Sequence, residues 1–253
     1  MTSTCTVYLR SSVIRLTELT ARGGVKSPIT TGVTHRVRAV RVDELVEDPG
    51  NTRLSDERGL LRGYIRRHAE TVGYSLSIEF THVDPAILMM LTDVPIVLDS
   101  RGHVVGFDVN TEIGTTAFAL EVWTKLGGQA CIGGVPEYGY TIFPNLFGGR
   151  LSGFTFANGL VSFNVIGART RLNSGWGVGP YDLVAGDTPR LPEPIQPSTQ
   201  FRTLVLPSVP PEPFCGVSSF VDEIDGGFVV TSPDIVDGEF VETSEAIING
   251  GAA

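Results

Sequence analysis

Phe154-Thr-Phe-Ala-Asn158-Gly159-Leu-Val-Ser-Phe-Asn-Val165 contains two β-prone runs on either side of an Asn-Gly pair. Asn and Gly tolerate the positive φ angles that a two-residue hairpin turn requires. The stretch therefore predicts a β-hairpin with its turn at residues 158 and 159. The chain also holds 30 glycines and 16 prolines, which is typical of many strands joined by turns.

Alternation of apolar and polar residues predicts further strands on both sides of this hairpin. Residues 73–80 alternate with period two, which indicates a half-buried strand. Its apolar face is formed by Tyr74, Leu76, Ile78 and Phe80. Residues 115–124 predict a longer strand, with Phe118, Leu120 and Val122 on one face and Ala117, Ala119, Glu121 and Trp123 on the other. We expect that strand to belong to a sheet with one fully apolar side.

A short helix is predicted to begin at Asp84-Pro85 and to end before Pro95. Asp is a favourable N-cap residue, and the missing N–H of proline costs nothing in the first turn. The other predicted elements are a strand at 33–42, a turn at 44–51, a helix at 54–70 capped by Ser55, a hairpin of 96–98 and 104–108, an irregular turn at 175–181, and strands at 201–206, 227–231 and 239–242.

The charge of the chain is concentrated near its end. The formal net charge is −9, and residues 185–253 alone account for it with eleven acids and two arginines. A nucleic-acid-binding surface needs a basic stripe that neutralises phosphates. The nearest candidate is one short segment, Arg62, Arg66, Arg67 and His68. We therefore expect no sequence-specific binding of nucleic acid.

The sequence also predicts a soluble chain without membrane insertion. Its longest apolar runs, such as residues 86–91, are far shorter than the roughly 20 residues that a membrane-spanning helix needs. Residues 1–26 lack the compact apolar region of a secretory signal. Charged residues interrupt them at Arg10, Arg15, Glu18, Arg22 and Lys26.

No catalytic, cofactor-binding or metal-binding residue is predicted. His35, His68, His82 and His103 lack the spacing of a shared metal site, and Cys5, Cys131 and Cys215 form no CxxC pair. Gly175-x-Gly177-x-Gly179 is followed by Pro180 instead of the Lys-Ser/Thr of a phosphate-binding loop. The acids at Asp222, Glu223 and Asp225 lack the closing Glu of a calcium loop. We expect a solvated acidic turn there.

Two longer stretches carry a resemblance to a known family. They are Val83-Asp-Pro-Ala-Ile-Leu-Met-Met-Leu-Thr-Asp93, and Thr116-Ala-Phe-Ala-Leu-Glu-Val-Trp-Thr124 leading to Tyr138-Gly-Tyr-Thr-Ile-Phe-Pro-Asn-Leu-Phe-Gly-Gly-Arg150. In order and spacing they resemble major tail proteins of long-tailed bacteriophages that infect actinobacteria. The resemblance covers residues 72–184, with weaker support from 210–216. Where that family often has Gly after its Leu-Thr, this chain has Asp93.

The resemblance implies a mainly β fold, an antiparallel β-sandwich or barrel of the tail-tube type with a flanking short α-helix and extended N- and C-terminal arms. It implies a structural subunit and no enzyme, which forms hexameric rings that stack into a tube in the virion. The implied partners are further copies of the chain, the tail terminator, distal tail and tape-measure proteins, and viral DNA that passes through without sequence-specific binding. Assembly would take place in the host cytoplasm.

The implied division of the chain is an N-terminal arm at 1–30, a tail-tube β domain at 31–206, and a Pro-linked acidic arm or small extension at 207–253. Other readings stay open. One is a tail terminator or distal tail protein, which forms a single ring. Another is a carbohydrate-binding β-sandwich, suggested by the aromatic residues Trp123, Tyr138, Tyr140 and Trp176, which we expect to be exposed. A hydrolase that uses scattered acids ranks last.

Overall fold

The computed structural model describes residues 7–47, 52–55, 58, 61–65, 69–82, 84–109, 115–127, 138–157, 160–172, 176–177, 191, 193–206 and 209–220. In this part of the chain, strands dominate and one short helix interrupts them. The elements are β1 (Val7–Leu19), β2 (Ile29–Thr34), β3 (Val37–Glu47), β4 (Thr52–Ser55), β5 (Leu61–Ile65), β6 (Glu70–Phe80), α1 (Pro85–Thr92), β7 (Ile96–Leu98), β8 (Val104–Phe107), β9 (Ala117–Gly127), β10 (Tyr138–Phe147), β11 (Arg150–Ala157), β12 (Leu160–Thr170), β13 (Arg202–Leu206) and β14 (Ser218–Phe220).

One large antiparallel sheet carries most of the strands. Its order is β14-β2-β1-β9-β10-β12-β6-β3, with β11 added to β12 and β13 added to β10. The contact between β10 and β12 is short, since it registers only Leu146 with Thr170 and Phe147 with Arg169. The strands on either side of this junction diverge into two layers. The hairpins β4-β5 and β7-β8 form separate two-stranded sheets.

The two layers enclose a main core. Each layer contributes the apolar residues of one strand face, as period-two alternation requires. The β1 to β10 layer supplies Ile14, Leu16, Phe118, Leu120, Val122, Phe143 and Leu146, and the opposing layer supplies Leu76, Ile78, Phe80, Val165 and Ala168. The helix α1 adds Ile87, Leu88, Met90 and Leu91. The fold is therefore mainly β and antiparallel, with one helix packed against the main core.

The opposite face of β9 is buried as well. Ala117, Ala119 and Trp123 join a second apolar cluster, to which Trp176, Leu191 and Ile195 contribute from beyond β12. The predicted apolar side of this strand, Phe118, Leu120 and Val122, lies in the main core, and the face that carries Glu121 is buried as well. The proline-rich connector also packs onto the sheet here, because Leu191 and Ile195 are buried.

The helix α1 forms where the sequence predicts it. The Asp84 carboxylate accepts the Ala86 N–H at 2.9 Å, which satisfies one of the free donors of the first turn. The helix ends at Asp93, which adopts a left-handed conformation with φ 59° and donates its N–H to the Met89 carbonyl. Gly149 lets the chain pass close to α1, because a Cβ there would collide with the Leu91 carbonyl oxygen.

The predicted helix at 54–70 is wrong. The described residues of this segment form β4, β5 and the start of β6, with Leu54 registered against Gly63. Two glycines, Gly59 and Gly63, each lower helix propensity by about 1 kcal/mol relative to alanine. Strand pairing satisfies the backbone groups of this segment instead.

The residues of the predicted N-terminal arm at 1–30 that the structure describes include β1 and the beginning of β2. β1 lies inside the large sheet between β2 and β9, and Ile14 and Leu16 are fully buried. The charged residues of β1 interrupt the alternation that would predict a strand. Arg15 lies on this strand directly opposite Glu121 of β9, so its charge is paired.

Other boundaries differ in smaller ways. The strand predicted at 33–42 is two strands, β2 and β3, separated at His35 and Arg36. β3 then continues through 44–47, where a turn was predicted, because β6 pairs with it to Glu47. In the predicted C-terminal arm at 207–253, β14 pairs with β2 and so extends the main sheet. Residues 221–253, including the strands predicted at 227–231 and 239–242, lie outside the described residues.

Several local predictions are confirmed. The Asn-Gly stretch joins β11 to β12, which pair from Arg150 with Ile166 to Ala157 with Leu160, with one register shift between Leu151 and Gly153. The hairpin predicted at 96–98 and 104–108 is β7-β8. The strands predicted at 73–80, 115–124 and 201–206 are β6, β9 and β13 within a few residues. Of the turn predicted at 175–181, the described residues Trp176 and Gly177 form a turn.

Candidate assembly interface

The β7-β8 hairpin presents apolar side chains to solvent. Single exposed apolar residues are ordinary on protein surfaces, whereas a contiguous patch marks an interaction site. Here the exposed apolar residues are close together along one hairpin and the strand beside it. We call this set the hairpin patch: Val97, Leu98, Val104, Val105, Val109 and Phe154.

The tip of this hairpin is held by its own backbone contacts. The Asp99 carboxylate accepts the N–H groups of Arg101 and His103, at 2.8 and 2.9 Å. These bonds lower the pKa of Asp99, with the His103 N–H making the largest contribution. Gly102 closes the turn with φ +84°, a conformation that favours glycine. The patch is therefore presented on a pre-shaped turn.

Three aromatic rings connect the β7-β8 hairpin to β11 and β12 of the large sheet. Phe107 of β8 stacks on Phe154 of β11, with ring centroids 6.1 Å apart. Phe154 in turn meets Phe163 of β12 edge to face at 4.9 Å. Phe107 also packs against the main core. Contacts of this type stabilise by about 0.5–1.5 kcal/mol beyond area burial, so the hairpin is fixed to the body.

A groove of about 560 Å³ lies beside the hairpin patch. Its walls come from the first turns of α1, the end of β2, the β7-β8 turn and residues 214–216. Its floor is apolar, with Phe80, Ile87 and Leu91 among the lining residues. Asp84 does not offer a free carboxylate there, because it accepts the N–H groups of both Ala86 and Gly216. The groove is suited to an apolar side chain.

Four of the described strands of the large sheet lie at its margins, and one of them, β14, pairs only with β2. β3 pairs only with β6, β11 only with β12, and β13 only with β10 among the described strands. The outer backbone groups of such edges are free to pair with another chain. On β11, Ser152, Gly153 and Thr155 are exposed along the edge. Open edges and the hairpin patch together make the surface suited to protein contacts.

A charged group is buried on the second face of the sheet. Glu121 is fully buried, and Arg15 binds it through two hydrogen bonds, Nε to Oε2 at 2.5 Å and Nη2 to Oε1 at 2.8 Å. The Tyr140 hydroxyl donates to Oε1 at 2.7 Å. Burial raises the pKa of Glu121, and Arg15 and Tyr140 oppose that rise.

This network joins β1, β9 and β10 and has a structural role. The Arg15 guanidinium also lies 5.6 Å from the ring centroid of Trp123, at cation–π distance. The sequence did not predict this network, since Arg15 lies in the predicted N-terminal arm. The available signal was Glu121, an acid at a position where its neighbours on the same strand face are apolar.

The four histidines that were considered as metal ligands lie in different parts of the chain. His82 and His103 both line the groove, and His35 lies exposed between β2 and β3. His68, with Arg62, Arg66 and Arg67, falls where side chains are not described. Within the described residues, no group of three or more His, Cys, Asp or Glu side chains is placed to hold a metal ion.

The aromatic residues proposed for glycan stacking are not available. Trp123, Tyr140 and Trp176 are at most 1% exposed, and Tyr138 is half-buried. Trp123 and Tyr140 instead pack together, with ring centroids 5.1 Å apart. A sugar-binding platform requires an accessible aromatic face, so these residues do not provide one.

The structure describes only some residues of the glycine-rich stretch, the cysteines and the acidic cluster that the sequence presents. Gly177 has φ +99° and lies against the backbone of Pro194, which explains a glycine at this position without any phosphate. Cys215 is exposed at the rim of the groove. Cys5, Cys131, Gly175, Gly179 and the acids Asp222, Glu223 and Asp225 lie outside the described residues.

Among the described residues, no helix combines the length and apolar character needed to cross a membrane. Comparison of the chain with models of known protein families and with curated proteins finds no match.

Proposed function

We propose that this protein is the structural subunit of a bacteriophage tail tube, which assembles into stacked rings that conduct the genome to the host. The rings are hexameric in this proposal, and the assembled protein is part of the virion. Further copies of the chain are its main partners, and tail terminator, distal tail and tape-measure proteins bind at or within the tube.

The stretches that carry the resemblance support this proposal by their position in the fold. The first covers the passage from β6 into α1, where Asp84 caps the helix. The second covers β9 and β10, which pair with each other at the centre of the large sheet. In the family that the chain resembles, a strand likewise runs into such a helix, and a later Glu-x-Trp strand precedes an aromatic-Pro-Asn-Leu segment.

The observation that carries the proposal is the combination of open sheet edges with the hairpin patch. β11 and β13 end different parts of the sheet, so contact between two such edges joins different surfaces of two copies. Contacts of that type generate a ring when the rotation closes and a filament when it does not. The hairpin patch adds a separate apolar surface, as rings that also stack require.

The charge of the chain is compatible with a conduit for DNA. A net charge of −9 repels phosphates, so an acidic lumen would let DNA pass without adhering. Salt screens this repulsion beyond the Debye length, about 10 Å at 0.1 M, so it acts on DNA that passes close to the acidic side chains.

Negative-stain electron microscopy of the purified protein over a concentration series tests the proposal. Hollow tubes of stacked rings are the expected result. Single rings that never stack would point to a tail terminator or distal tail protein. Particles no larger than a dimer at every concentration, also after addition of preformed tail tips, would contradict assembly into a tube.

A matched pair of variants tests the role of the hairpin patch. Val105 is 62% exposed in the patch, and Val209 is 59% exposed outside it. We expect Val105→Glu to prevent tube formation because it places a charge in a buried contact. Val209→Glu, with the same change in charge and similar exposure, should still form tubes. Equal assembly of both variants would remove the patch from the interface.

A further inference from the structure

β3 is a long edge strand with one side unpaired. It pairs with β6 from Val37 to Glu47, and no described strand pairs with its other side. Val42 and Val46 are 40% and 53% exposed on it. Val42 lies opposite the fully buried Leu76, so it continues the apolar face of β6 to the solvent-exposed edge of the sheet.

A long exposed edge of this type is normally shortened, bulged away or covered, because its free backbone groups attract other strands. β3 has charged residues, which is one way to limit such pairing. Their order is unusual, however, since the basic residues precede Val42 and the acidic residues follow it. The basic residues are Arg38 and Arg41, and the acidic residues are Asp43, Glu44 and Glu47.

This order makes the strand complementary to itself. If two β3 strands run antiparallel about a two-fold axis at Val42, Arg41 lies opposite Asp43 of the partner subunit, and the two Val42 side chains face each other. Val46 lies four residues from this axis, so the two Val46 side chains do not face each other. Directly opposite charges of unlike sign stabilise a strand pair, and like charges destabilise it.

Arg41 and Asp43 are the charges available for such a contact. Arg38 already binds Glu79 at 2.9 Å, and Glu44 accepts the Thr71 hydroxyl. Arg41 and Asp43 are exposed beside the serines Ser77 and Ser75 of β6. In the described part of the chain neither has an ion-pair or hydrogen-bonding partner for its side chain.

We propose that two copies of this chain pair through β3, antiparallel about a two-fold axis at Val42. A second copy fits better than a different strand, because an acidic or basic strand would complement only half of β3. A two-fold contact closes on itself, whereas the contacts of a ring or tube propagate. The pair is thus a state of unassembled subunits and does not rest on the proposed tail-tube function.

Charge reversal with rescue tests this register, with sedimentation velocity as the readout of full-length protein. Arg41→Asp and Asp43→Arg each place two like-charge pairs in the contact, so each alone should weaken dimerisation by roughly tenfold or more. An equimolar mixture of the two variants restores both pairs and should dimerise as the unchanged chain does. Arg101→Asp, a matched reversal on the β7-β8 turn, should leave dimerisation unchanged.

A crosslink provides an independent check of the axis. Val42→Cys places two cysteines opposite each other, at the Cα separation of about 4.5–5.5 Å that a disulfide accepts. Val46→Cys, on the same strand and more exposed, lies four residues from the axis and so has no cysteine of the partner subunit opposite it. Peptide maps after oxidation should show a disulfide between the two copies of the Val42→Cys variant and none between two copies of the Val46→Cys variant.

Three outcomes would overturn the proposal. They are a monomeric unchanged chain at all concentrations, a mixture of the reversed variants that stays monomeric, and a crosslink at 46 but not at 42. Tubes in the electron microscope alongside any of these would leave the tail-tube proposal standing. Dimers without tubes would support the β3 pairing and count against the tube.

Discussion

Glu121 is the residue whose removal should affect stability most directly. Its buried carboxylate accepts two hydrogen bonds from Arg15 and one from Tyr140. In Glu121→Ala the Arg15 guanidinium, about nine-tenths buried, keeps its charge and loses its partner. Breaking a buried pair in this way costs about 3–5 kcal/mol, which urea unfolding monitored by circular dichroism can measure.

The exposed pair between Arg38 and Glu79 is the matched comparison. Arg38 is 68% exposed, so water screens the attraction between the two charges. Glu79→Ala should therefore lower the free energy of unfolding by less than about 1 kcal/mol. Similar losses for Glu79→Ala and Glu121→Ala would show that the buried network has no special structural role.

Gly149 and Gly153 offer a second comparison of single residues. A Cβ at Gly149 meets the Leu91 carbonyl of α1, whereas a Cβ at Gly153 meets nothing within 4 Å. We expect Gly149→Ala to destabilise the protein by about 1–3 kcal/mol, since backbone must move to admit the methyl group. Gly153→Ala should be neutral or stabilising by up to about 1 kcal/mol, because alanine restricts the unfolded chain. Thermal unfolding of both variants decides this, and equal melting temperatures would contradict it.

The C-terminal end of α1 carries a strained residue. Asp93 has φ 59°, a conformation that residues with a side chain adopt reluctantly and glycine adopts freely. Its carboxylate also accepts the Thr115 hydroxyl at 3.2 Å, which is an exposed and weak contact. Asp93→Gly should therefore raise the free energy of unfolding by about 0.5–1 kcal/mol, measured by urea unfolding.

Asp93→Ala serves as the control for this effect. It also removes the contact to Thr115 but keeps a Cβ in the left-handed conformation. We expect it to be destabilising, so the two variants should differ in sign relative to the unchanged chain. A loss of stability in both would show that the Thr115 contact outweighs the backbone strain.

Elements with a complete local signal could be predicted from the sequence. The α1 helix has a capping Asp84 and Pro85 at its start, and the hairpin of β11 and β12 has Asn158-Gly159 between alternating runs. Elements that depend on distant partners could not. β1 carries Arg15 at a buried position, which makes sense only when Glu121 of β9 lies opposite it.

The candidate interface was predictable only in part. The β7-β8 hairpin followed from its turn residues, but the exposure of Val105 depends on which other elements cover it. The aromatic residues show the opposite case, since Trp123 and Trp176 were considered accessible and are buried. Alternation indicates which side chains share a face, whereas tertiary packing decides whether that face meets water.

At the scale of the whole molecule, net charge opposes self-association. Residues 221–253 contain eight acids and no Lys or Arg, so a chain ending at Phe220 has a net charge of −1 instead of −9. The residues that form the main core and the second apolar cluster all lie between 14 and 195. Removing 221–253 should therefore change the repulsion between copies while the two clusters stay intact.

We expect the full chain to associate more strongly as salt is added. Salt screens the repulsion between charges that are farther apart than the Debye length, which is about 10 Å at 0.1 M. The chain ending at Phe220 should associate at lower protein concentration in low salt and respond little to added salt. Light scattering over a protein and salt series measures both effects. A full-length variant with the eight acids changed to amides separates charge from the segment itself. If charge is the cause, this variant behaves as the shortened chain does; if it behaves as the unchanged chain, residues 221–253 act through a contact instead.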